Sequence, residues 1–218
     1  MFLKNFILEL LFPKKCYGCQ TLGTWLCLSC LNKLKLYEGE RPRALENKND
    51  LIIAGEYQDK LLSDLIIAFK FGLNQELVIP LFVFLKKTLD QKILVDRFSG
   101  KLWNNILVIP VPLHKKRQSW RGFNQSELLA REISNYYQWP LSLALIKNKK
   151  TPPQVELSED KRAVNLIGAF KWTGDNLTEK TILLIDDVIT SGATLNEAEK
   201  VLSAAGAKRV IKVLVAKS

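Results

Sequence analysis

TILLIDDVITSGATL, residues 181–195, decides the fold. Its opening residues are apolar or β-branched and carry no charge, which is the composition of a strand buried on both faces. The strand delivers two adjacent acids, Asp186 and Asp187, to its carboxyl end, and a short run of Thr190, Ser191, Gly192, Ala193 and Thr194 leads into a helix. Small side chains let backbone N–H groups point inward, Gly192 permits φ > 0, the hydroxyls donate, and the helix N-terminus is positive. Together these predict a phosphate cradle. Carboxylates beside a phosphate repel it, so they are aimed at hydroxyls instead. A sugar phosphate meets both requirements. The lysine that follows the glycines of a Walker loop is missing, which excludes that motif. An acidic strand end followed by an ordinary capped helix is the plain alternative.

The flanking chain alternates between strand and helix signals. LIIAGEY (51–57) predicts a strand, and Leu61, Leu62, Leu65, Ile66 and Phe69 form a helical stripe that ends at Lys70 and Gly72. A second apolar helix is expected over Glu76 to Leu89, and NILVIPVP (105–112) reads as a buried strand stopped by two prolines. Helices follow at Ser126 to Tyr137 and at Thr194 to Ala205, the latter closed by Gly206, with a last strand, RVIKVLVA, at 209–216. Such alternation predicts an α/β fold with a mainly parallel sheet flanked by helices, and ligands beyond the carboxyl ends of the strands.

All four cysteines fall between Cys16 and Cys30. Cys16-x2-Cys19 and Cys27-x2-Cys30 are two knuckles separated by seven residues, the arrangement that closes four thiolates around Zn²⁺. Gly18 can supply the positive φ of a tight turn around a metal. Two disulfides would need an oxidising compartment, and a redox dithiol fits paired knuckles less well. Four protein ligands leave no open position, so the zinc is expected to be structural. Nearby Lys14, Lys15, Lys33 and Lys35 read equally as a partner-binding or a solvated face.

At 218 residues the chain exceeds the usual single domain, roughly 100 to 200 residues, and predicts a large domain with a small appendage. We place residues 1–50 in an N-terminal helix, zinc module and linker, with YEGERPRALENKND (37–50) as the linker, and residues 51–218 in the main domain. The net charge of +10 suits an anionic partner: a phosphorylated small molecule, nucleic acid or a membrane surface. No apolar run reaches the ~20 residues of a membrane span. Phe2, Leu3, Phe6, Ile7, Leu10 and Leu11 repeat at helical spacing, but Glu9 interrupts the run and no small-residue cleavage site precedes Cys16. The expectation is a cytoplasmic protein whose N-terminal apolar face docks on itself in preference to a membrane. His114 is the one histidine, so hydrolytic triads are not available except through it.

The 182–195 segment resembles the phosphoribosyl pyrophosphate (PRPP) signature of the type I phosphoribosyltransferases, and the chain as a whole resembles the ComF/GntX family. The likeness runs through FPKKCYGC, YQDKLLSDLIIAFKFG, PVPLHKKRQSWRGFNQSELLA, TPPQVELSEDKRAVNLIGAF and the signature to the final strand. Ser191 stands where that signature more commonly has Thr, and keeps the hydroxyl. The resemblance implies a type I phosphoribosyltransferase-like fold with an N-terminal zinc module. It further implies that Asp186 and Asp187 accept bonds from the ribose hydroxyls and that Thr190 to Thr194 hold the 5-phosphate, with Val188 and Ile189 belonging to the same PRPP-binding run. Pro112, Leu113, His114, Lys115, Lys116 and Arg117 would form the pyrophosphate loop, whose three positive charges neutralise a Mg²⁺-bridged leaving group. On charge alone, that basic run reads equally as a solvated patch or a nucleic-acid contact. Arg121, in RGFNQ, would reach the pyrophosphate or position the loop. Thr151, Gln154, Arg162 and Asn165 match a segment that closes over PRPP in related enzymes, while Lys70 and Gly72 match a family position with no role derivable from the residues. The catalytic set implied is Asp186, Asp187, Lys115, Arg117 and Arg121. Two functions follow: Mg²⁺-dependent transfer of the phosphoribosyl group to an unidentified acceptor, or a non-catalytic or PRPP-sensing accessory protein in DNA uptake (natural competence) or DNA processing, with single-stranded DNA or DNA-uptake proteins as candidate partners.

Overall fold

The strand that begins at Thr181 lies inside a four-stranded sheet, with a neighbour on each side. The computed structural model describes residues 13–39, 50–72, 74–99, 103–148 and 166–218. In chain order these form α1 (Leu28–Leu31), β1 (Leu51–Glu56), α2 (Lys60–Phe71), a 3-10 turn (Gln75–Leu77), α3 (Val78–Phe98), β2 (Ile106–Pro110), α4 (Lys115–Arg121), α5 (Gln125–Tyr137), β3 (Leu145–Lys147), β4 (Phe170–Trp172), β5 (Thr181–Ile189), α6 (Ala193–Ala204) and β6 (Arg209–Lys217). The sheet order is β1-β6-β5-β2 with every pair parallel, Ile109 facing Leu184 and Leu184 facing Lys212.

Because side chains alternate along a strand, each buried strand feeds two cores. Ile52, Val108, Leu183, Ile185, Ile211 and Val213 join the cluster under α2, α3 and α5, while Ile53, Ile109, Ile182, Leu184, Val210 and Leu214 join the one under α6. The second face is completed by an antiparallel pair, β3 and β4, with Leu145 opposite Trp172. Those strands are too short for a period-2 pattern, and only the two faces together explain them. Lys212, inside β6, is fully buried and ion-paired to Glu199 of α6.

Cys16, Leu26, Cys30, Leu31 and Leu34 lie in the same cluster as Leu62, Leu65, Phe84 and Leu85, so the cysteine segment packs on α2 and α3. Trp25 Nε1 donates to Glu76 at 2.7 Å, and Lys14 pairs with the same carboxylate at 2.6 Å. Beyond the expected linker start, Tyr37 N–H donates to Ala54 O at 2.8 Å. The apolar face at 1–12, the linker at 40–49 and the segment carrying Thr151, Gln154, Arg162 and Asn165 lie outside the described residues.

Two elements differ from expectation. Helix α3 runs on to Phe98 instead of stopping near Leu89, carried by the i,i+4 pairs Lys86–Asp90 and Lys92–Asp96. The basic run is not all loop: Val111–His114 is irregular, then Lys115, Lys116 and Arg117 form the first turn of α4. Past Pro112 nothing breaks a helix, and Lys, Arg and Gln favour one. Among the described residues no helix is long and apolar enough to cross a membrane.

Candidate functional site

Strand β5 continues two residues past the acids, to Ile189, and holds Asp186 in register with Leu214. Pairing with β2 ends at Ile185 and pairing with β6 runs on past the acids, so the carboxylates stand where the sheet opens on one side. Asp186 Oδ1 accepts from Ser126 Oγ at 2.8 Å and from Asp187 N–H at 2.9 Å. Asp187 Oδ1 accepts from Val188 N–H at 2.6 Å and faces Lys70 Nζ at 2.9 Å. Every bond described to the pair thus falls on an Oδ1 atom. Burial, and then the charge of Asp187, push the Asp186 carboxyl up to about 7, against the pull of Ser126 and Lys70.

After Ile189 the chain turns through Thr190 and Ser191 to Gly192, the N-cap of α6, at φ 81°. This is the left-handed conformation the sequence assigned to Gly192, one an L side chain adopts only under strain. Asp186, Thr190, Ser191, Gly192 and Thr194 help line a cavity of about 50 Å³. That is room for a phosphate, well below the about 300 Å³ of a typical small-molecule pocket. The positive end of α6 and the loop N–H groups give it a chemistry that suits an anion. A larger groove of about 440 Å³ lies between the cysteine segment and α3, lined by Leu26, Leu31, Ile79 and Val83 together with Lys14, Trp25 and Glu76, whose polar groups already bond one another.

RGFNQ ties the basic segment to this strand end. Gly122 turns the chain at φ 75°, and Asn124 caps α5 through Ser126 N–H while its amide donates to Val111 O at 3.1 Å. The Arg121 guanidinium lies 5.0 Å from the Phe71 ring centroid and donates to Gln125 Oε1 at 3.3 Å. These contacts make Arg121 a brace between α2, α4 and α5.

The second constellation is the four thiols, with their sulfurs all within 4.8 Å of one another. Cys16 and Cys27 sulfurs stand 3.7 Å apart, and those of Cys19 and Cys27 3.6 Å. A tetrahedron of Zn–S bonds about 2.3 Å long has edges of about 3.8 Å, so the donor set fits zinc. None of the four is in a disulfide. Burial raises the Cys16 thiol, yet N–H donors from Cys27, Cys19 and Gly18 outweigh it and bring the group down to about 6. Burial pushes Cys30 up to about 12. Gly18 serves differently from expectation: its φ is not positive, and a Cβ there would lie 2.6 Å from Cys30 Sγ. Close approach, not turn geometry, excludes a side chain. The positive φ values fall on Gln20 and Gly23.

Residues 121–218 match the phosphoribosyl transferase domain family. Competence protein F of Haemophilus influenzae is 31% identical over 207 residues, spanning 89% of this chain and 86% of its own. The chain belongs to the competence protein F (ComF) family. DNA utilization protein YhgH of Escherichia coli K12 is similar too, at 32% over 162 residues, 73% of this chain and 68% of that one. Competence protein ComFC of Streptococcus pneumoniae is 33% identical over 110 residues, 50% of this chain and 47% of its own.

In this ComF-family chain the fold brings Asp186, Asp187 and the Thr190–Thr194 loop together and sets Asn124 and Arg121 beside the 111–117 segment. Two contributors escaped the sequence reading. Ser126 reads in sequence only as a helix start, because its partner Asp186 lies 60 residues further on. Lys70 carried no role, because its partner is distant in sequence.

Proposed function

We propose that the chain binds PRPP with Mg²⁺ and transfers its 5-phosphoribosyl group to an acceptor, releasing pyrophosphate. The observation that carries this reading is the acid pair, bonded through Oδ1 only, beside a phosphate-sized anion site at the N-terminus of α6. Asp186 and Asp187 accept the ribose hydroxyls, Thr190, Ser191, Gly192 and Thr194 hold the 5-phosphate, and Lys115, Lys116 and Arg117 supply positive charge for the pyrophosphate. Bound with PRPP, Mg²⁺ would supply charge neutralisation for the pyrophosphate, adding to that of Lys115, Lys116 and Arg117. Departure leaves an oxocarbenium-like ribosyl carbon, so positioning and charge stabilisation suffice without a strong protein base. Zinc on Cys16, Cys19, Cys27 and Cys30 has a structural role. Titration calorimetry with PRPP and Mg²⁺ tests the site: the Asp186→Asn, Asp187→Asn double variant folds but loses on the order of 2 to 4 kcal/mol of affinity, the worth of two charge-assisted hydrogen bonds. Wild-type protein that shows no binding at millimolar PRPP would sink the reading.

The names of the relatives, competence and DNA utilization proteins, together with the +10 charge, favour a second reading. In it the chain is a cytoplasmic accessory of DNA uptake that binds PRPP without turnover and meets single-stranded DNA through its basic surface. Salt dependence separates the two. Alanine at Lys115, Lys116 and Arg117 weakens PRPP binding and leaves DNA binding unchanged under the first reading. Under the second, each lost phosphate contact lowers the salt slope of DNA binding by about one.

A further inference from the structure

Lys70 is the residue whose placement that reading does not use. It sits near the end of α2, and its ammonium lies 2.9 Å from Asp187 Oδ1. The last turn of α2 is wedged between two parts of the site. Phe69 packs against Phe123 at 5.7 Å, and Phe71 meets Trp120 at 6.5 Å and the Arg121 guanidinium at 5.0 Å. Lys70 thus stands between the acids of β5 and the segment that leaves β2. Directly afterwards the chain turns at Gly72, where a Cβ would lie 2.6 Å from Ala68 O. The helix end is held, so any movement at Lys70 falls on its side chain. That side chain has slack: it is 18% exposed and its partner 12%, so the pair keeps a solvent-facing edge and is not locked in the core.

Charge decides what the contact does. With the site empty, two adjacent carboxylates need a cation, and Lys70 is the one described in contact with them. A sugar pyrophosphate brings hydroxyl donors to the carboxylates and anionic oxygens to the β2 side. Once hydroxyls bond the acids, the strongest unmet attraction for an ammonium within reach is the pyrophosphate. We propose that Lys70 is an exchangeable counter-ion, neutralising Asp187 in the empty site and binding the pyrophosphate oxygens of the ligand when ribose hydroxyls take its place. This inference rests on the proposed binding of PRPP. It makes Lys70 a ligand-contacting residue and gives the empty site a stored charge balance that the ligand inherits.

The test uses the full chain, with Lys70→Met and Lys70→Arg, titrated with PRPP, inorganic pyrophosphate and ribose 5-phosphate, each with Mg²⁺. Thermal melts confirm that each variant is folded. In Lys70→Met, PRPP and pyrophosphate are expected to bind roughly tenfold or more weakly, the worth of one charge-assisted hydrogen bond. Ribose 5-phosphate is expected to bind as well as to wild type or better, since its hydroxyls no longer displace an ammonium. Lys70→Arg restores most of the pyrophosphate affinity. Unchanged pyrophosphate and PRPP affinity in Lys70→Met overturns the exchange and leaves Lys70 a static partner of Asp187. An equal loss for all three ligands also overturns it, as a structural effect. Wild-type protein that binds none of the three removes the PRPP reading, and this inference with it. A PRPP-binding wild type with an indifferent Lys70→Met removes the inference alone.

Discussion

Asp186 is the residue at which folding and the proposed binding of PRPP pull in opposite directions. Its carboxyl titrates at about 7 in the folded chain, against 3.8 for an ordinary aspartate, because burial and then Asp187 disfavour the charge. Below about pH 4 both folded and unfolded chains hold the proton and the group contributes nothing. As pH rises toward 7 the unfolded chain gives the proton up first, so stability falls, and above 7 the penalty is fully present. At about 1.4 kcal/mol per unit this is a few kcal/mol. Asp186→Asn is therefore expected to be more stable than wild type at pH 8 and about equal at pH 4, with a flatter profile between, as read by urea melts. Ligand binding has the opposite slope. Accepting ribose hydroxyls needs the carboxylate, so PRPP affinity should rise through pH 7 in wild type and lose that rise in the variant. The acid pair was legible from sequence because both members sit in one stretch. Ser126 and Lys70 were not, because they reach Asp186 and Asp187 from α5 and α2 only after the sheet has assembled.

The turn from β5 into α6 shows how an element can be legible to the residue. Gly192 was expected to take a positive φ and does so, at 81°. Gly192→Ala places a Cβ in the left-handed region, which costs about 1 to 2 kcal/mol, and disturbs the N–H groups of the anion site. The expected result is a lower melting temperature together with weaker binding of inorganic phosphate. Normal phosphate affinity in a destabilised variant would move the 5-phosphate elsewhere. The strands β1, β2, β5 and β6 were readable because long apolar runs bounded by turns have few alternatives. Strands β3 and β4 were not, at three residues each. Nor was the end of α3, where the apolar stripe fades and ion pairs between neighbouring turns carry the helix on. Lys212 also ran against pattern: a charge inside the last apolar run gives no local hint that Glu199 waits on α6.

At the scale of the molecule the cysteine segment is a part of the core and not an attachment to it. Two of its thiols, Cys16 and Cys30, are buried in the cluster built by α2 and α3. Metal analysis is expected to give one zinc per chain. Chelation or Cys30→Ser should lower the melting temperature of the whole chain by several degrees, at about 2 to 4 °C per kcal/mol for a chain of this size. A single shifted transition is expected, in place of a separate early one. Local pattern was enough to group the four thiols of this segment. It could not give the docking, which depends on Trp25 and Lys14 meeting Glu76 across the fold.

Helix α2 gives that docking a longer reach. Its apolar stripe, Leu62, Leu65, Ile66 and Phe69, shares a cluster with Cys16 and Cys30, and a Cβ on Gly18 would come within 3.3 Å of Leu61. The same helix carries Lys70 in its last turn. One rigid rod of twelve residues, about 18 Å long, therefore joins the thiol cluster to the acid pair of β5. Two sites joined by one rod are thermodynamically reciprocal: whatever zinc adds to the affinity for PRPP, PRPP adds to the retention of zinc. If zinc strengthens PRPP binding, a competing chelator should accordingly strip metal less completely, at equilibrium, from protein saturated with PRPP. The factor should equal the loss of PRPP affinity on going from metal-loaded to metal-free chain.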